Sequence, residues 1–170
     1  MKFDDAELQK RIKEAGERRK KIDEVRLAVL EGHLVMEEQL ENFLSTALFN
    51  PSHVNLDRMN FHMKCNLALA LSLGEDRDPF WAVVWALNQL RNKIAHERDA
   101  KEIEEKMAHL RKTYIAVLSV QQAQDAAGQT NKQIVDDASV LCAGLFATLA
   151  MDAKGRQAVI DQHWKARSQS

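Results

Sequence analysis

Proline and glycine are scarce in this chain, at 2 and 6 of 170 residues. With so few breakers, and with apolar residues recurring at spacings of three and four, no segment qualifies as a strand and the sequence reads as helix throughout. Cysteine is scarce too. Cys65 and Cys142 lie far apart in apolar helical surroundings without metal-ligand neighbours, which argues against a disulfide framework and predicts two reduced thiols in a core. Net charge is almost absent: 24 Lys and Arg against 25 Asp and Glu leave −1. No global field holds a polyanion, so any nucleic-acid contact has to come from a local patch. The opening residues have no apolar stretch for a signal peptide, and no run reaches the roughly 18 apolar residues of a membrane span. A cytoplasmic location without membrane contact is therefore expected. Gly-rich phosphate loops, nucleophile elbows and His-x3-His or Glu-x-x-His sets repeated between helices are missing, so no cofactor and no metal is expected.

What the chain does have is helical periodicity cut by a few punctuation marks. A composition of 45% hydrophobic and 29% charged residues suits one soluble globular domain over residues 1–170. Within it a charged helical extension covers 1–23, a bundle 27–125, and a C-terminal helix and tail 130–170. The first helical region runs from Asp4 toward Phe49, with Gly32 a candidate bend, and Asn50-Pro51 ends it. A second helix is predicted over Asp57–Leu73 with Gly74 as its C-terminal cap. Asp78-Pro79 opens a third that ends at His96. Ile103, Met107, Leu110, Tyr114, Val117 and Gln121 mark one face of a fourth. Thr130 or Asn131 can cap a fifth, whose stripe is Ile134, Ala138, Leu141, Cys142, Leu145 and Leu149, and the tail from Gly155 forms a final short helix. The expected fold is all-α: an antiparallel, up-and-down bundle of about five helices with a charged N-terminal helical extension.

Charged residues fall where this pattern wants apolar ones. At about 100° per residue, Phe80, Val83, Val84, Leu87, Leu90 and Ile94 form the stripe of the third helix, and Arg91 lies inside it. Leu30, Leu34, Leu40, Leu44 and Leu48 form the stripe of the first, and Glu37 and Glu41 lie within that. The simplest account is that Arg91 meets these carboxylates, either as part of a site or as a structural ion pair. His96 stands about 140° around the helix from Arg91, so a compact Arg/His site needs the helix to bend before His96 or a second subunit to complete it. By position alone, His96 is a histidine placed favourably near the negative end of the helix dipole.

Arg91-Asn92-Lys93-Ile94-Ala95-His96 resembles the motif of the HEPN superfamily, in which an arginine and a polar residue precede a histidine by a short gap. The similarity extends through GHLVMEEQLENFL, NFHMKCNLALALSLG and LNQLRNKIAHERD, and covers about Leu27–Leu110. The resemblance implies a helical bundle that forms a homodimer and brings two motifs into one cleft. In active members the motif marks a metal-independent endoribonuclease. A histidine can take a proton from the ribose 2′-hydroxyl or give one to the leaving 5′-oxygen, and an arginine stabilises charge building on the phosphate, leaving a 2′,3′-cyclic phosphate. Carried over, Arg91 and His96 are the catalytic candidates and Asn92 a supporting polar residue. Glu37 joins them from the helical wheel as a partner for Arg91, and Lys93, Arg98 and Lys101 as phosphate contacts on RNA. Glu17–Lys21, ERRKK, is a second basic cluster and reads first as an exposed charged helix. The resemblance also implies a toxin or defence component whose antitoxin is a separate protein. A related possibility is a non-catalytic regulator of the mannitol-repressor kind that binds protein or RNA.

Overall fold

The computed structural model describes residues 5–72, 79–96 and 100–168, with side chains described for all of these except 5–7, 18–23 and 168. Every regular element among them is helical. The six α-helices are α1 (Asp5–Ala47), α2 (Phe61–Leu71), α3 (Pro79–His96), α4 (Ala100–Ala116), α5 (Val120–Ala127) and α6 (Asn131–Ser168), with 3₁₀ turns at Pro51–His53 and Leu56–Arg58 between α1 and α2. The expected all-α class holds. The third helix has the predicted bounds, whereas Gly74, Asp78 and Arg98 lie outside the described residues.

Side chains that satisfy orphan amides set several helix starts. Asn60 accepts from the Met63 amide at 2.9 Å, so α2 starts at Phe61 and not at Asp57. Ser119 and Gln122 form a reciprocal capping box that starts α5, cutting off the predicted fourth helix before Gln121. Thr130 does the same with Gln133: the Gln133 amide donates to Thr130 Oγ1 at 3.3 Å and the Thr130 amide to Gln133 Oε1 at 2.8 Å. α6 then runs unbroken through Gly144 and Gly155, so the separate tail helix does not exist.

The core is built mainly on α1 and α6, the most extensively packed pair. Met36, Leu40, Phe43 and Leu44 of α1, Trp81, Val83, Val84 and Leu90 of α3, Leu110 of α4, and Ile134 and Phe146 of α6 are all buried. Each large side chain of this set contributes about 1.5–3 kcal/mol through burial. Trp81 packs edge-on against Phe146 with ring centroids 5.7 Å apart. Cys65 and Cys142 are buried free thiols. Burial pushes Cys65 up to about 12 and Cys142 higher still, so both stay protonated.

Two expectations about α1 are overturned. Gly32 is no bend: a Cβ there would stand 2.7 Å from Ser139 Cβ, so the missing side chain lets α1 and α6 approach closely. The buried Ser139 hydroxyl is satisfied within its own helix, donating to Val135 O at 2.7 Å. The leucine stripe holds over its second half, where Leu40 and Leu44 are buried, and fails over its first, where Leu30 and Leu34 are exposed while Ala28, Val29 and Met36 face the core. Small residues toward α6 set the packing, and the larger leucines pulled the wheel away from it.

The helix directions depart from strict alternation. Val25 and Asn131–Lys132 line one cleft, and Gly32 meets Ser139 seven residues further along both helices, so α1 and α6 run parallel. Phe61 meets His33 and Lys64 meets Glu37 and Glu41, so α2 also rises with α1. α3 and α4 pair antiparallel through their contacts, Gln89 with Lys106 and Lys93 with Glu102. α1 spans about 65 Å at 1.5 Å per residue. Its described side chains from Leu8 to Glu17 are all exposed. α6 is long and apolar enough to cross a membrane by length and composition, which no apolar run had suggested, but its stripe of Ile134, Ala138, Cys142 and Phe146 is buried against the other helices.

Candidate functional site

The motif arginine stands at the edge of the core. α3 buries Leu87, Asn88 and Leu90, and Arg91 follows half-buried. One guanidinium nitrogen, Nη1, donates to Asn92 Oδ1 at 3.3 Å, while Nε is buried without a hydrogen-bond partner. α3 stays helical to His96, so no bend precedes the histidine and the separation of about 140° stands. His96 is exposed at the last helical position. Within one chain the motif thus offers Arg91 toward the interior and His96 toward solvent, in different directions.

A polar cluster is buried between α1 and α2. Lys64 of α2, only 3% exposed, donates to Glu37 Oε1 at 2.6 Å and also to Glu41 Oε1. Glu37 was expected beside Arg91, and the structure gives it to Lys64 instead. The reason is desolvation: a buried ammonium without a carboxylate costs more than a half-buried guanidinium that still reaches solvent. Burial works against the Lys64 charge, but hydrogen bonds to Glu37 and Glu41, with their negative charges, outweigh it and hold the ammonium above its usual range.

His33 completes the cluster. It is 6% exposed, and its ring packs on Phe61 with centroids 4.4 Å apart. Nδ1 lies 3.7 Å from Glu37 Oε2, and Nε2 is buried without a hydrogen-bond partner. Burial first, then the positive charges of Arg91 and Lys64, hold the imidazole below its ordinary range against the opposing pull of Glu37. His33 is therefore neutral at pH 7, and Arg91 is close enough for its charge to be felt there.

The remaining candidates divide. Asn92 is exposed and occupied with Arg91. Lys93 is half-buried in an ion pair with Glu102 of α4, so its charge is already answered. Lys101 is exposed near the start of α4. Of ERRKK, the side chains of residues 18–21 lie outside the described set. Sequence reasoning missed His33 and Lys64 as members of the cluster. Lys64 was detectable, because Phe61, Lys64, Cys65 and Ala68 share one buried face of α2 just as Arg91 shares one on α3. His33 carried no comparable signal, since around it the wheel follows Leu30 and Leu34, which are exposed.

A cleft of about 540 Å³ lies elsewhere, lined by Val25, Ile103, Met107, Arg111 and Lys132 among others. Arg111 donates to Gln129 O at 2.8 Å, to Asn131 Oδ1 at 3.0 Å and to Ala126 O at 3.4 Å, tying the α5–α6 junction to α4. That role is structural. Among the described residues no three His, Cys, Asp or Glu side chains gather as a metal site. Compared with known proteins, the chain matches no family model, no curated protein and no solved structure.

Proposed function

We propose that this protein is a metal-independent endoribonuclease of HEPN type, a toxin or defence component, that cleaves RNA at a cleft shared by two copies. The observation that carries the reading is the state of the motif: Arg91 is half-buried with a donor unmet, and His96 is exposed on a different side of the same unbroken helix. Those two side chains suit one reaction only if they come from different protomers. Arg91 of one copy then stabilises charge on the phosphate, while His96 of the other moves the proton of the 2′-hydroxyl or of the leaving 5′-oxygen. The exposed side chains Leu27, Leu30 and Leu34, on the flank of α1 that carries Glu37, are a surface suited to such an association. Asn92 orients Arg91, and Lys101, exposed near the start of α4, is a further contact to the RNA backbone.

The test is incubation of the purified protein with total RNA in EDTA, beside Arg91→Ala and His96→Ala. Cleavage to 2′,3′-cyclic phosphate ends by the wild type alone supports the reading. An inactive wild type, or variants that cleave equally well, sinks it.

A second reading is a non-catalytic helical regulator that binds a protein or RNA. It is favoured by the same separation taken within one chain, because Arg91 and His96 lie on different sides of α3 and Glu37, the carboxylate expected for Arg91, is paired with Lys64. A wild type that binds RNA or a protein without cutting RNA fits this reading alone.

A further inference from the structure

We propose that the cleft among α1, α4 and α6 is a binding site for a linear polyamine, a chain of methylenes carrying two or more ammonium groups. The cleft has a volume of about 540 Å³, within the roughly 300–1,000 Å³ of small-molecule sites. Three helices frame it: Val25 comes from α1, Ile103 and Met107 from α4, and Asn131 and Lys132 from the start of α6. Ile103 and Met107 are 5% and 3% exposed, so the floor is apolar and continuous with the core. Such a floor suits a methylene stem and offers nothing to a hydrated metal ion.

The charges around that floor set the sign of the ligand. Glu24 of α1 and Glu104 of α4 line the cleft from different helices, both exposed, and neither carboxylate has an ion-pair or hydrogen-bond partner among the described residues. The two cations of the wall are already engaged. Arg111 donates to Ala126 O, Gln129 O and Asn131 Oδ1, and Lys132 donates to Asp136. Gln129 gives its amide nitrogen to Asp137 at 2.7 Å, and its own oxygen has no partner. With Asp136 set against Lys132, three carboxylates face two cations among the described residues, so one negative charge is in excess. An anion would have to take Lys132 from Asp136 or Arg111 from its carbonyls, whereas ammonium groups meet carboxylates that are free. The dipole at the start of α6 favours an anion, but Thr130 and Gln133 occupy that end with their capping box. One ammonium reaches Glu24 and another Glu104, with the stem between them over Ile103 and Met107. Each exposed contact is weak alone, so affinity depends on both ends and the stem together.

The site uses none of the motif residues, so its test is independent of RNA cleavage. Spermidine is titrated into the full-length protein by calorimetry at low salt, with methionine methyl resonances recorded in parallel. Expected are saturation at one spermidine per chain, a shift of the Met107 methyl assigned through Met107→Leu, and an affinity that drops several-fold between about 20 and about 200 mM salt. Glu24→Gln with Glu104→Gln, both at exposed positions, should weaken binding at least about tenfold, with far-UV circular dichroism checking the fold. Glu105→Gln, exposed one residue further along α4 and outside the lining, should leave binding unchanged. Mg²⁺ or trilysine at the same concentration should leave spermidine bound. Displacement by Mg²⁺ would mean plain charge neutralisation and displacement by trilysine a basic peptide, and either overturns the polyamine assignment. Absence of saturable binding, equal affinity in the folded double variant, or shifts confined to other methionines overturns the site.

Discussion

Lys64 is a cation held in the core by two carboxylates of α1. Because the glutamates keep partial contact with solvent, the cluster contributes less than a fully enclosed ion pair. Lys64→Met should still destabilise the protein by about 2 kcal/mol, since it leaves Glu37 and Glu41 facing apolar surface with like charge. Adding Glu37→Gln and Glu41→Gln should recover much of that loss; urea unfolding of the single and triple variants measures both. His33 supplies a pH dependence of known sign. Its folded-state pKa lies below the ordinary 6.5, so its contribution is fully present above that value and shrinks as the pH falls and the unfolded chain takes up a proton first. Urea midpoints should drop between about pH 7 and 5, and the drop should be smaller in His33→Gln. An equal drop in both proteins would assign the effect to other groups. At this scale Arg91 was legible from its place in an apolar stripe, but its neighbour was not. Periodicity reports which face a charge occupies, whereas the partner depends on which helix lies opposite.

Glycine shows how elements use the same residue differently. Gly32 is pressed against Ser139, while nothing lies within 4 Å of the Cβ position at Gly144. Alanine gains about 1 kcal/mol in helix propensity at either place. At Gly144 that gain stands, so Gly144→Ala should stabilise by about 0.5–1 kcal/mol. At Gly32 overpacking of about 1–3 kcal/mol opposes it, so Gly32→Ala should be destabilising on balance. Opposite shifts in the urea midpoint are the expected result, and a rise in both would mean that the α1–α6 contact yields easily. Helix existence was legible throughout, including the bounds of α3. Helix division was not: the S-x-x-Q and T-x-x-Q boxes at Ser119 and Thr130 carry the information in the side chains of Gln122 and Gln133, which a hydrophobic pattern ignores.

For the whole molecule, the shared-cleft proposal requires association. Leu30 and Leu34 are exposed, so Leu30→Glu with Leu34→Glu should leave the fold intact while converting a dimer to monomers in sedimentation equilibrium at micromolar concentration. A wild type that is already monomeric there would remove the shared cleft. Leu8 and Ile12 of α1 are exposed, and Leu8→Ser with Ile12→Ser should change the unfolding free energy by no more than about 0.5 kcal/mol in urea unfolding.

The sequence by itself determined that this protein is helical, that Cys65 and Cys142 belong to a core, and that Arg91 occupies an awkward position. Those properties follow from local spacing, because a helix repeats every 3.6 residues whatever surrounds it. Tertiary structure decided that α1 and α6 run parallel, that Gly32 is a contact and not a bend, and that Lys64 takes the carboxylate expected for Arg91. It also buried His33 against Phe61 with a nitrogen unmet. Each of these depends on which surfaces lie opposite one another, and desolvation, which then ranks the possible pairings, acts only once the helices have packed.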